Sequence, residues 1–121
     1  MFVKDLNIAY LLDFYGDVLS ERTRDLLTMY YCDDLSLAEI AENVGISRQG
    51  VRQAIKKGED ELESLEAKLG LAALHLVRRE EAETLLRLAR QACSDPTDEN
   101  TRALSVFAQS FAERFLADNQ E

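Results

Sequence analysis

Breaks are what this chain has least of: one proline and five glycines stand in 121 residues. So little punctuation, with no sustained alternation of strand formers, argues against a fold of short strands and turns and predicts an all-α protein. Cysteine is scarce as well. Cys32 and Cys93 lie far apart and lack metal-type spacing, so they read as buried thiols of a reducing cytosol, with a disulfide as the alternative. There is a single histidine, His75, and the sequence shows no nucleophile–base pairing. Without a glycine-rich phosphate loop or a metal-ligand cluster, the expectation is a non-enzyme with no catalytic residues, no metal and no cofactor. No stretch approaches the roughly 20 apolar residues of a membrane span. The apolar start is interrupted by Asp5, Asp13 and Asp17, unlike a secretory leader. The expected compartment is the cytoplasm, with no membrane partner.

What is present is acid: 23 acidic against 14 basic residues, a net charge of −9. Such a balance argues against a general nucleic-acid coat but allows one basic face. That face occurs within Ser36–Lys57, SLAEIAENVGISRQGVRQAIKK. Ser36 and Glu39 form an S-x-x-E capping box, which satisfies the orphan amides of a helix start. Leu37, Ile40 and Ala41 give that helix an apolar side, and Val44-Gly45-Ile46 follows as a turn. Gly45 can take positive φ there because it has no Cβ. Ser47 caps a second helix, with Val51 and Ile55 beneath. A short helix, a glycine turn and a helix apolar below and polar above are the marks of a helix-turn-helix.

The outer face of the second helix carries the candidate chemistry. At about 100° per residue, Gln49, Arg52, Gln53 and Lys56 point away from Val51 and Ile55, with Arg48 and Lys57 flanking. Together with the cap Ser47, these are the candidate nucleic-acid-binding residues. From Ser47 to Lys57 there are four bases and no acid. Arg and Gln suit guanine and adenine edges, while Lys and a helix N-terminus suit phosphates. A merely solvated helix face is the plain alternative. Beyond Lys57 the sign flips to Glu59, Asp60, Glu61, Glu63 and Glu66, so the footprint should end there.

The rest of the chain reads as packing. Leu11, Phe14, Tyr15 and Val18 share one side of a helix from about Lys4 to Leu19, with Gly16 marking close approach. Ser20 caps the next helix, whose inner stripe is Leu26, Leu27, Tyr30 and Tyr31. Asp33 and Asp34 read as a turn, since sequence neighbours diverge in space. Val51, Ile55, Gly58, Leu62, Leu65 and Leu69 continue the second motif helix as a heptad seam, with Gly70 closing it. Leu71, Leu74, Ala82, Leu85, Ala89 and Ala92 line a further helix to Cys93, with His75 and Arg78 on or beside that face. Asp95 and Pro96 suggest an N-cap and first turn. The last helix buries Leu104, Phe107, Ala108, Phe111 and Phe115, and residues 117–121 fray.

The motif also carries a resemblance. Phe14-Tyr15, Tyr30-Tyr31, Asp34-Leu35-Ser36-Leu37-Ala38-Glu39-Ile40-Ala41 and Ser47-Arg48-Gln49 resemble the YlxM family of small bacterial proteins. Lys56, Leu62, Leu65, Lys68 and Leu69 extend the likeness, which covers roughly the first two-thirds of the chain. The motif alone also resembles the fourth conserved region of sigma factors. The resemblance implies a sigma-like all-α domain with added C-terminal helices, DNA binding in a regulatory role, and a tie to the signal recognition particle pathway. It also implies two departures: Gly50 stands where alanine is usual, and Gly58 where a basic residue is common.

The expected organisation is a helix-turn-helix domain over 1–70 and a helical extension over 71–121, the latter a candidate dimerisation region. The surplus of apolar stripes there predicts a homodimer. DNA is the favoured partner and RNA the alternative, with particle components as further partners. A second alternative is a protein-docking module using the same basic helix.

Overall fold

The computed structural model describes residues 6–118; the expected helix start at Lys4 and the end of the tail, 119–121, lie outside them. Every regular element among the described residues is helical. They are α1 (Leu6–Tyr15), a 3-10 turn (Gly16–Val18), α2 (Glu21–Tyr31), α3 (Leu37–Val44), α4 (Arg48–Leu69), α5 (Leu71–Ser94) and α6 (Asp98–Asp118). The contacts cluster into two units, 1–73 and 74–121.

In the first unit, local chemistry sets the element ends. The Ser20 hydroxyl accepts from the Thr23 amide at 3.2 Å and starts α2. Ser36 Oγ accepts from Glu39 N at 3.1 Å, and Glu39 Oε1 accepts from Ser36 N at 3.3 Å, which closes the capping box of α3. Gly45 takes φ +74° and ends that helix, and Gly70 at φ +63° ends α4. Asp34 adopts φ +55° in the loop after α2, a conformation Asp tolerates better than most side chains. Asp33 and Asp34 are therefore loop residues, as their adjacency suggests.

The core gathers α1, α2 and α3 around α4. Ile8, Leu11, Leu12, Tyr15, Leu26, Leu27, Tyr30, Ile40, Val51, Ile55 and Leu62 are all buried. The α4 stripe through Val51, Ile55, Gly58 and Leu62 faces this core, so the first part of the heptad seam is spent inside one chain. Leu65 packs against the core's edge, whereas Leu69 is exposed. Gly58 is the tight point. A Cβ built there would lie 2.8 Å from Thr23 Cγ2 and 2.9 Å from Leu27 Cδ1. The position where the resemblance suggests a basic residue is thus the contact between α2 and α4.

Several expectations need correction. Val18 is not core but 67% exposed, because the helix tightens to 3-10 after Tyr15 and Leu19 takes the buried place. Both cysteines are free, and both are exposed rather than buried. Cys32 follows the last turn of α2, where the chain has left the core, and Cys93 lies on the outer side of α5. The cap of α6 is Thr97, whose Oγ1 accepts from Asn100 N at 3.1 Å, not Asp95. Asp95 instead accepts from the Asn100 amide through its carbonyl at 2.9 Å. Leu71 and Leu74 are exposed, and it is Ala72 that is buried at the start of α5.

The second unit is the remainder of α5 with α6. Arg78 lies over the Phe115 ring at 5.2 Å and the Phe111 ring at 6.0 Å, and it pairs with Glu81 at 3.3 Å. Leu85, Leu88, Leu104, Phe107 and Phe111 are half-buried, and no described residue of this unit is fully buried. Phe115 was expected inside and is 45% exposed.

Candidate nucleic-acid interface

The candidate interface is built by the turn between α3 and α4. Ile40, Val51 and Ile55 lock the two helices together from below, which fixes the roll of α4 about its axis. Ser47 stands at the N-cap with extended backbone, and its Oγ accepts from Gly50 N at 3.0 Å. The cap leaves other first-turn amides directed outward along the helix axis, where an anion is favoured. Gly50 is half-buried, and a Cβ there would meet Ser47 Oγ at 3.2 Å and Ile46 Cδ1 at 3.5 Å. That bare position faces back onto the turn.

Arg48, Gln49, Arg52, Gln53, Lys56 and Lys57 are all exposed, on the first three turns of α4, and Ser47 is exposed beside them. All seven sequence-selected residues therefore reach solvent. Gln49, Arg52, Gln53, Lys56 and Lys57 line a shallow groove together, and Asp60 completes it. Asp60 was expected to lie beyond the footprint. Instead its Oδ1 sits 3.3 Å from Lys56 Nζ across one helical turn. The hydrogen bond to Asp60 and then its charge hold the Lys56 ammonium above its ordinary range. The i,i+4 spacing of Lys56 and Asp60 was a legible signal for this pair.

Two other acids of the α4 run, Glu59 and Glu66, have structural partners. Glu59 accepts a hydrogen bond from the Tyr31 hydroxyl. Burial, and then the Glu59 charge, push the neighbouring Tyr30 phenol above its usual value. Glu66 accepts from Tyr15 Oη at 2.6 Å, Ala72 N at 3.0 Å and Ala73 N at 3.1 Å, so it caps the start of α5. Its carboxyl is held below the ordinary range, first by the Tyr15 hydrogen bond. Tyr15 in turn accepts from Leu71 N at 3.1 Å, and its phenol is raised by burial and then by the bond to Glu66. Nothing in the sequence announces that contact, since 51 residues separate the partners.

Comparison with known proteins adds family membership to this geometry. A family model described as "Putative helix-turn-helix protein, YlxM / p13 like" matches residues 2–103. The chain belongs to the YlxM/p13-like family. Among curated members, the UPF0122 protein of Caldanaerobacter subterraneus subsp. tengcongensis is 50% identical over 70 residues, 58% of this chain and 60% of its own length. That of Limosilactobacillus reuteri is 44% identical over 88 residues, 73% of this chain and 78% of its own. That of Halalkalibacterium halodurans is 41% identical over 104 residues, 86% of this chain and 93% of its own. The YlxM/p13-like description names a helix-turn-helix and no reaction, which agrees with the α3–turn–α4 geometry. No helix among the described residues is long and apolar enough to cross a membrane.

Proposed function

We propose that this chain is a non-enzymatic, cytoplasmic regulatory protein that binds duplex DNA by laying the first three turns of α4 in the major groove. One observation carries the reading. In a chain of net charge −9, the exposed end of α4 presents four bases and no acid between Ser47 and Lys57, on a helix whose roll is fixed by buried Val51 and Ile55. Arg48, Arg52, Gln49 and Gln53 supply fork and amide groups of the kind that read base edges. Lys57 and the Ser47-capped terminus supply phosphate contacts, with Lys56 beside them. The major groove of A-form RNA is too deep and narrow for an inserted helix to reach base edges, which favours DNA. Two copies joined through residues 71–121 would double the contacts and set two half-sites about one helical turn, or a multiple, apart. The family resemblance adds the signal recognition particle pathway as the setting, with particle components as candidate partners.

Competition binding with duplex DNA, the particle RNA and an unrelated RNA, repeated across salt concentrations, tests the reading. Duplex DNA should compete best. Lys57→Ala should weaken all duplexes alike and reduce the salt slope by about 1. Arg52→Ala should relax preference at one base position by ~1–3 kcal/mol. A double variant that binds like the parent rejects the α4 assignment, and preferential capture of the particle RNA replaces DNA with RNA.

A further inference from the structure

The basic groove of α4 contains one acid. Asp60 shares it with Gln49, Arg52, Gln53, Lys56 and Lys57 and is held at 3.3 Å from Lys56. Its neighbour Glu59 is engaged by Tyr31, and Glu66 by Tyr15 and the start of α5, so those carboxylates have structural partners. Asp60 has its ion pair with the binding face itself. Both side chains of that pair are well exposed, 69% for Lys56 and 58% for Asp60, so the pair contributes little to stability. A phosphate approaching Lys56 meets a carboxylate already in the place it would take.

Building on the DNA-binding reading above, we propose that Asp60 limits phosphate binding: it competes with backbone phosphate for Lys56 and so lowers duplex affinity, and its salt dependence, whatever the sequence. Contact with a phosphate releases a counterion from the duplex, but freeing Lys56 leaves Asp60 facing the same negative surface. The two effects oppose each other, and Lys56 adds little to non-specific affinity.

The test uses the full chain and a mixed-sequence duplex of about 20 base pairs, followed by fluorescence anisotropy from roughly 50 to 200 mM salt. Asp60→Asn should bind more tightly than the parent, with a salt slope steeper by about 0.9. Its advantage at 50 mM should then exceed that at 200 mM by about 3.5-fold, the slope difference applied to a fourfold change in salt. In a Lys56→Ala background, Asp60→Asn should lose the slope change. An equal slope in the single variant overturns the proposal. A slope change that survives in the Lys56→Ala background also overturns it, since the carboxylate would then act by general repulsion. Thermal melts should not move, which separates binding from folding. A parent chain that binds no duplex even at 50 mM rejects the interface, and this proposal with it.

Discussion

Two glycines on α4 make opposite predictions. At Gly58 an added methyl meets the side chains of Thr23 and Leu27 at 2.8 and 2.9 Å, and Leu27 is wholly buried. Gly58→Ala should therefore push α2 away and lower the denaturant midpoint, at a cost of about 1–3 kcal/mol. Gly50 meets only the Ser47 hydroxyl closely, at 3.2 Å, and a hydroxyl can shift a few tenths of an ångström. Gly50→Ala should raise the melting temperature, by up to about 1 kcal/mol of helix propensity. Duplex affinity should stay unchanged, because the methyl faces the turn. The sequence marks both positions as exceptions on a helix, but a glycine does not name the atoms across from it. Val18 shows the same limit. Its spacing suits the core, and only the switch to 3-10 geometry after Tyr15 turns it outward.

Element boundaries were the most legible level wherever one short segment decides them. The Ser36/Glu39 box, the Gly45 turn and the Ser47 cap each involve residues three or four apart, so the motif could be read from local spacing and the structure places it there. The joint between α4 and α5 could not. Glu66 in an acidic run looks like a solvated charge, yet it accepts from Tyr15 and from two amides of α5. The sign of its pH dependence follows from its carboxyl being held below the ordinary range. A depressed carboxyl stabilises the fold at pH above its unfolded value, near 4.3 for Glu, and loses that contribution as pH falls through the folded value. Urea midpoints followed from about pH 6 to pH 3 should fall more steeply for the parent than for Glu66→Gln. Parallel profiles would show that the carboxylate does not hold α5.

For the molecule as a whole, burial is uneven. All the fully buried described residues belong to the unit 1–73, while Val106 is 60% and Leu116 59% exposed on α6. Two helices whose described residues from Leu74 onward are at most half-buried have little reason to stay paired in water. We expect the full chain to sediment as a dimer at micromolar concentration, and a chain ending at Ala73 as a folded monomer. The cut follows Ala73 because Ala72 is buried and its carbonyl accepts from Tyr10 Oη at 3.3 Å. A monomeric full chain rejects the dimer, and a dimeric short chain moves the contact to the motif. The apolar stripes of α5 and α6 could be seen in the sequence, but a stripe does not say what covers it. The long helix α4 has one more consequence. Its buried stripe, Val51, Ile55, Gly58 and Leu62, shares no residue with Arg48, Gln49, Arg52, Gln53, Lys56 and Lys57. On the DNA-binding reading, the outward set is in effect a cassette: we expect that it can be exchanged as a block, carrying target preference with it, while the buried stripe beneath stays as it is.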